Sequence, residues 1–282
     1  MNDLSNLPLK DFQPHSELRL EDHTPQRARF PVIDAHNHLW GDQGAGDILP
    51  VMDATGVKAL INLTGNAGLA MEGGGYKLQK VPFGEFKTQV MDRYPGRFFG
   101  FTLSAFAEGT ETNLFKDAGF VDKAIAELEH DVSLGAIGLK LLKEFGLRFT
   151  DNSGELIAID DARFSPVWKK CEQLGIPVLI HTSDPAAFFK PLDRHNEHLL
   201  TLLRYPDWHF ANVPVSKEEL LAQRDRMIEA NPGTTFILPH VANWPENLAY
   251  VDRLLEGHPN VFIDFSARLD ELARQPYTAR DF

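Results

Sequence analysis

The chain holds a single cysteine, Cys171, in 282 residues. That excludes an intrachain disulfide and any cysteine-rich metal site. In an expected helix, Cys171 reads as a small core residue. Basic residues are also in short supply. With 28 Lys and Arg against 40 Asp and Glu, the formal net charge is −12. An acidic chain argues against nucleic acid and anionic membranes as partners, because both need basic patches. No apolar run reaches the ~20 residues of a membrane span. Residues 1–30 contain no apolar segment of the signal-peptide kind. The expected location is cytoplasmic, with secretion after removal of a signal as the other option. No Gly-x-Ser-x-Gly is present, so serine-nucleophile chemistry finds no support. No Gly-x-Gly-x-x-Gly follows the first strand, which leaves a dinucleotide site without its loop.

What is present is an alternation. Residues 1–30 are polar, with Pro8, Pro14 and Pro25, and read as an N-terminal arm packed outside the domain or on a partner subunit. From residue 31 to 282, short β-branched or aromatic runs alternate with segments of helical spacing. The candidate strands are Val32–His36, Val57–Leu63, Phe98–Leu103, Ala136–Leu141, Pro177–His181, Thr235–His240 and Val261–Phe265. The candidate helices are Ile48–Thr55, Phe86–Tyr94, Val121–Asp131, Pro166–Leu174, Lys217–Ala230 and Pro245–Glu256, the last capped by Asn243 or Trp244. A shorter helix-like segment covers Leu269–Arg274. Strand and helix in turn indicate βαβ units and a parallel sheet. The expected fold is α/β, a (β/α)₈ TIM-barrel-like domain with its eighth strand missing; a doubly wound open sheet is the second choice. Gly73-Gly74-Gly75 is expected in a mobile loop after the second strand.

The chemistry gathers at strand ends. Pro31-Val32-Ile33-Asp34-Ala35-His36-Asn37-His38 is an apolar run closing on two histidines one residue apart. Side chains alternate along a strand, so His36 and His38 share a face. Val32, Ile33 and Ala35 make the strand a buried one in this reading. Two imidazoles on one face of a buried strand can hold a divalent metal. Further along, His181, His240 and Asp264 end the fifth, sixth and seventh strands, and Lys140 lies on the fourth. Barrel active sites are built at those ends. One such histidine is usually a hydrogen-bonded core residue; four together are hard to explain that way.

The order His-x-His on strand 1, His on strand 5 and His on strand 6 resembles the amidohydrolase superfamily. The run from His240 to Leu248, followed by Asn260 to Asp264, is similar to its amidohydrolase-related branch of metal-dependent hydrolases and decarboxylases. The resemblance covers about residue 31 to the end. It implies that His36, His38 and His181 are metal ligands and that His240 acts as acid or base. It implies one divalent ion, zinc first and manganese second. The branch also carries an aspartate ligand at the end of strand 8. Here the chain stops at Thr278-Ala279-Arg280-Asp281-Phe282, and Asp281 has no apolar strand before it. Truncation of a longer protein is the favoured explanation, ahead of a partner closing the barrel or a damaged protein.

Lys140, Asp264 and the stretch Ser183–Ser216 carry further candidates. Lys140 is expected to bind a substrate carboxylate or the site's own acids, with an ion pair to Asp34 as the structural alternative. Asp264 either orients a histidine or caps the segment after it, the cap being preferred. The long stretch Ser183–Ser216 reads as a lid or binding loop. Its Arg194 and Phe188-Phe189 are candidates to meet an aromatic acid, while Tyr205, Trp208 and Phe210 anchor it. The expected function is a metal-dependent hydrolase of a small ester, lactone or amide, using a metal-activated water. The alternatives are a non-oxidative decarboxylase of a small aromatic or unsaturated acid, and a non-catalytic degenerate barrel. The partner is a small-molecule substrate, and acidic charge with open sheet edges suggests a homo-oligomer.

Overall fold

The structure, a computed structural model, describes residues 7–15, 17, 25–40, 44–72, 75–107 and 112–275. Seven parallel strands form one curled sheet in the order β1 (Val32–Asn37), β2 (Val57–Asn62), β5 (Phe98–Thr102), β6 (Ala136–Leu141), β7 (Val178–Ile180), β8 (Phe236–Leu238) and β9 (Val261–Ile263). Among the described residues this is a TIM-barrel sheet with seven of the eight strands, as the alternation implies. Two further strands, β3 (Ala67–Glu72) and β4 (Gly75–Lys80), pair antiparallel as a separate hairpin, with Ala67 opposite Lys80 and Glu72 opposite Gly75. Of the expected glycine loop, Gly75 opens β4 of this hairpin, while Gly73 and Gly74 lie outside the described residues.

The barrel's inner layer is apolar. Leu63, Phe101 and Leu179 are buried together, with Ile61, Ile137 and Ile237 against them. Gly138 is needed here, because a Cβ on it would lie 2.3 Å from the Phe101 ring. The outer layer packs the helices onto the sheet. Helix α1 (Ala45–Thr55) ends at Gly56, whose φ of 84° is the left-handed cap that glycine allows. Helix α2 (Phe120–Ser133) buries Phe120, Ala124 and Leu128, a stripe at four-residue spacing. Helix α3 (Ser165–Leu174) buries Val167, Trp168 and Cys171, so the cysteine is a core residue as expected. Burial pushes its thiol up to about 12, which leaves no reactive thiolate near neutral pH. A short α4 (Leu199–Arg204) lies in the long connection, and α5 (Lys217–Glu229) follows, with Ser216 Oγ accepting from Glu219 N at 3.1 Å. Helices α6 (Leu248–Gly257) and α7 (Leu269–Ala273) follow.

Three expectations need correcting. The helix over 86–94 is a single turn, Phe83–Phe86, continuing as a π-turn over Lys87–Met91. Helix α6 is capped by Asn247, whose side chain accepts from Tyr250 N at 3.2 Å, and not by Asn243 or Trp244. Strand β1 is not buried on both faces: Val32 and Ile33 are 41% and 59% exposed. Among the described residues β1 and β9 are the sheet's edges, so side chains that a closed barrel covers stay in solvent. The tail 278–282, with Asp281, lies outside the described residues. Of the N-terminal arm, residues 27–28 rest on the end of α1, where Ala28 N donates to Thr55 O at 2.8 Å. Among the described residues no helix is long and apolar enough to cross a membrane.

Candidate metal centre

Four histidines meet at the C-terminal ends of the strands. His36 and His38 leave the end of β1. His181 follows β7 on the same face as the inward Leu179, as alternation requires. His240 follows β8. Ring centroids lie 5.6 Å apart for His36 and His38, 5.0 Å for His36 and His240, and 4.7 Å for His181 and His240. Two imidazoles sharing a tetrahedral ion at Zn–N of ~2.0–2.1 Å would hold their centroids about 5 Å apart. Among the described residues no three such donors are already drawn onto one point.

The hydrogen bonds fix the ring tautomers. His36 Nδ1 lies 2.7 Å from Asp264 Oδ2, an acceptor, so Nδ1 carries the proton. His240 Nδ1 lies 2.8 Å from the Ser266 carbonyl and must donate to it. His38 Nδ1 lies 3.2 Å from Thr64 Oγ1. That hydroxyl gives its one proton to Asn62 Oδ1 at 3.2 Å and accepts from Trp40 Nε1 at 2.9 Å, so it accepts from His38 too. All three rings are therefore protonated on Nδ1 and present an Nε2 lone pair. His181 Nε2 is buried without a hydrogen-bond partner, its nearest acid oxygen, Asp184 Oδ1, being 3.5 Å away. Three imidazoles with Nδ1 pinned and Nε2 unspent, beside a fourth, His181, whose buried Nε2 has no partner, are the donor set a borderline-soft divalent ion takes.

Charge is arranged around them. Asp264 accepts from His36, from Ser266 Oγ at 2.7 Å, and from the backbone N–H groups of His240 and Ser266, each at 3.0 Å. Burial alone would raise its pKa, but His36 and these donors hold it well below the usual carboxylate range. Asp264 thus performs both tasks weighed for it, orienting His36 and closing the turn after β9. Lys140 is 1% exposed. Burial lowers it to about 7, against the pull of Asp264 and Glu144. Asp34 is not its partner, since that carboxylate accepts from His36 N and Asn37 Nδ2. A second charged pair was not visible in the sequence. Lys143 Nζ donates to Asp184 Oδ2 at 2.6 Å, both side chains nearly buried, and lies 5.1 Å from the Trp208 ring and 5.4 Å from that of Phe210. Burial would raise Asp184, yet Lys143 and His181 bring it far down. The spacing of three residues, Lys140 to Lys143 and His181 to Asp184, was the available signal. Arg194 is not brought to the cluster by any described contact. It is exposed, with Nε on His195 Nε2 at 3.1 Å.

A family profile described as Amidohydrolase matches residues 33–281. The chain belongs to the amidohydrolase family. Solved structures share the fold of this amidohydrolase-family chain at low identity. A putative amidohydrolase from Staphylococcus aureus is 14% identical, with a TM-score of 0.53 over 89% of this chain and 83% of that one. The 2,6-dihydroxybenzoate decarboxylase from Rhizobium is 17% identical, with a TM-score of 0.50 over 89% and 83%. An uncharacterized TIM-barrel protein from Bordetella bronchiseptica is 18% identical, with a TM-score of 0.46 over 79% of this chain. The chain spans only 60% of that protein's length. No curated protein matches significantly.

Burial of the histidines gives the metal-free protein an acid weakness. Burial first, then Lys140 and the neighbouring rings, lowers His38 to about 2; burial, opposed by Asp184, lowers His181 to about 4. Unfolded, both take up protons below ~6.5. On these two rings alone, between about pH 6 and 4, the unfolded state then binds up to two more protons than the native one. Stability is full above ~6.5 and falls with decreasing pH at up to about 2.7 kcal/mol per pH unit. Urea unfolding of chelator-treated protein at pH 7.5, 6 and 5 checks this; a flat midpoint would show the two rings to be solvated.

Proposed function

We propose that this chain is a metal-dependent hydrolase that cleaves a small ester, lactone or amide with water. His36, His38 and His181 would hold one divalent ion, zinc before manganese, and His240 would carry the proton. The observation behind this reading is the shared tautomer: three rings with Nδ1 committed and Nε2 unspent, facing a buried His181 Nε2 that has no partner.

A divalent ion bound there supplies Lewis acidity, which lowers the pKa of water from ~15.7 to about 7. His240 offers an unprotonated Nε2 within the ring cluster. Its Nδ1–H bond to the Ser266 carbonyl supports the imidazolium formed when that nitrogen takes a proton. His36 is oriented by Asp264, and His38 by Thr64, as second partners of metal-binding histidines commonly are. Trp40 stacks on His38 at 3.9 Å and shields that side from water. Lys140, buried and lowered to about 7, would be held as the ammonium by an anionic group on the substrate.

The test is metal analysis of purified protein together with assays on esters, lactones, amides and aromatic or unsaturated acids, scoring acid release and CO₂ separately. Metal-dependent acid release without CO₂ supports the hydrolase. CO₂ release would replace it with a decarboxylase, and a metal-free protein turning over nothing would remove the enzyme reading.

A further inference from the structure

Among the described residues, His240 opens the longest run of positive φ. His240, Val241, Ala242 and Asn243 have φ of 59°, 58°, 52° and 59°. None is glycine. L-residues visit this region singly and at a cost, and a β-branched valine there is a true outlier. Four in succession make a left-handed turn that must be held from outside.

The holding groups come from β9's end and from α5. Val241 N donates to Asp264 O at 2.6 Å, and His240 N to Asp264 Oδ1 at 3.0 Å. The carbonyls are taken by two buried cations. Arg224 Nη1 donates to Ala242 O at 2.7 Å, and Lys217 Nζ to Asn243 O at 2.5 Å. Lys217 and Arg224 are 2% and 0% exposed. Both come from α5, seven residues or about two turns apart, and so share a face. Lys217 spends its other two protons on Ser183 Oγ at 3.0 Å and Asp184 O at 2.7 Å. All three acceptors are neutral oxygens. A buried ammonium that touches no carboxylate is costly, and ion pairing does not explain its place. What it does is tie the turn bearing His240 to the segment just after His181.

We propose that Lys217 and Arg224 are positioning residues for His240, two buried cations that grip a left-handed turn by its carbonyls and so fix where the imidazole stands. This rests on the reading of His240 as the proton carrier.

The experiment uses ¹⁵N-histidine spectra of Lys217→Met in the full chain, with Ala242→Gly added as rescue and urea unfolding to confirm folding. Glycine adopts positive φ without strain, so it should keep the turn left-handed when the clamp is gone. In Lys217→Met the His240 ring should lose its single Nδ1–H tautomer signal while His36 keeps its own. Lys217→Met/Ala242→Gly should recover it. A His240 signal unchanged in Lys217→Met, or lost and not recovered by glycine, would overturn the proposal and leave Lys217 a packing residue. Arg224→Met gives the same comparison if Lys217→Met does not fold. Where a hydrolysed substrate is found, kcat should drop about 10- to 100-fold with KM little changed, and recover with glycine. Spectra that behave as expected with unchanged turnover would keep the clamp and remove the catalytic assignment of His240.

Discussion

His181→Ala should abolish metal retention and turnover together. His181 is the one ring whose inner nitrogen is buried with nothing to bond, so it has the most to gain from an ion and its loss leaves the smallest compensation. Dialysed wild-type protein should keep about one zinc per chain and the variant essentially none. Hydrolysis should fall by at least about 10³-fold, because several kcal/mol of charge stabilisation leave with the ion. The metal-free variant should nevertheless remain folded and lose less stability on acidification, since the ring that resists protonation is gone. Inductively coupled plasma analysis beside a turnover assay checks the pair. Retained zinc with lost turnover would move His181 from ligand to catalyst.

Breaking the Lys143–Asp184 pair should be the largest purely structural effect. The two side chains are 10% and 8% exposed, so solvent screening does little and neither can be left alone. Lys143→Met strands a carboxylate beside His181, and Asp184→Asn strands an ammonium among Tyr76, Trp208 and Phe210. Each single change should cost ~3–5 kcal/mol, whereas the double change should cost far less than the sum, because well-packed neutral replacements of a buried pair are often tolerated. The pair also sets a pH sign. Asp184 titrates far below the usual carboxylate range, so its stabilisation is present above ~3.9 and persists until the pH falls through that low native value. Urea unfolding of the two single variants and the double variant at neutral pH measures the coupling; strictly additive losses would mean the pair is solvated.

Much of this was legible in the sequence. All seven sheet strands stand where their β-branched runs put them, and the parallel order follows from the alternation with helices. Strand ends were read too long where function takes over. His181 and His240 lie beyond the strands Val178–Ile180 and Phe236–Leu238, because the ladder stops where the side chains turn into the site. The β3–β4 hairpin escaped because Ala67–Glu72 and Gly75–Lys80 are short of β-branched residues and bracket a glycine run. The exposure of β1 was misjudged because an apolar run reads the same on a covered strand and on an edge. The histidine cluster was legible from spacing and strand position. Its partners Thr64 and Ser266 were not, since no local pattern marks a hydroxyl that meets a ring through the fold. The left-handed turn at 240–243 was hidden for a simpler reason: no glycine announces it, and the cations that hold it come from a helix more than ten residues upstream.

Anomalous diffraction from crystals of the zinc-loaded protein tests the shared-ion arrangement most directly. The expected result is one strong zinc peak ~2.0–2.1 Å from Nε2 of His36, His38 and His181. A peak held by other donors, or a protein that takes up no zinc or manganese, would contradict it.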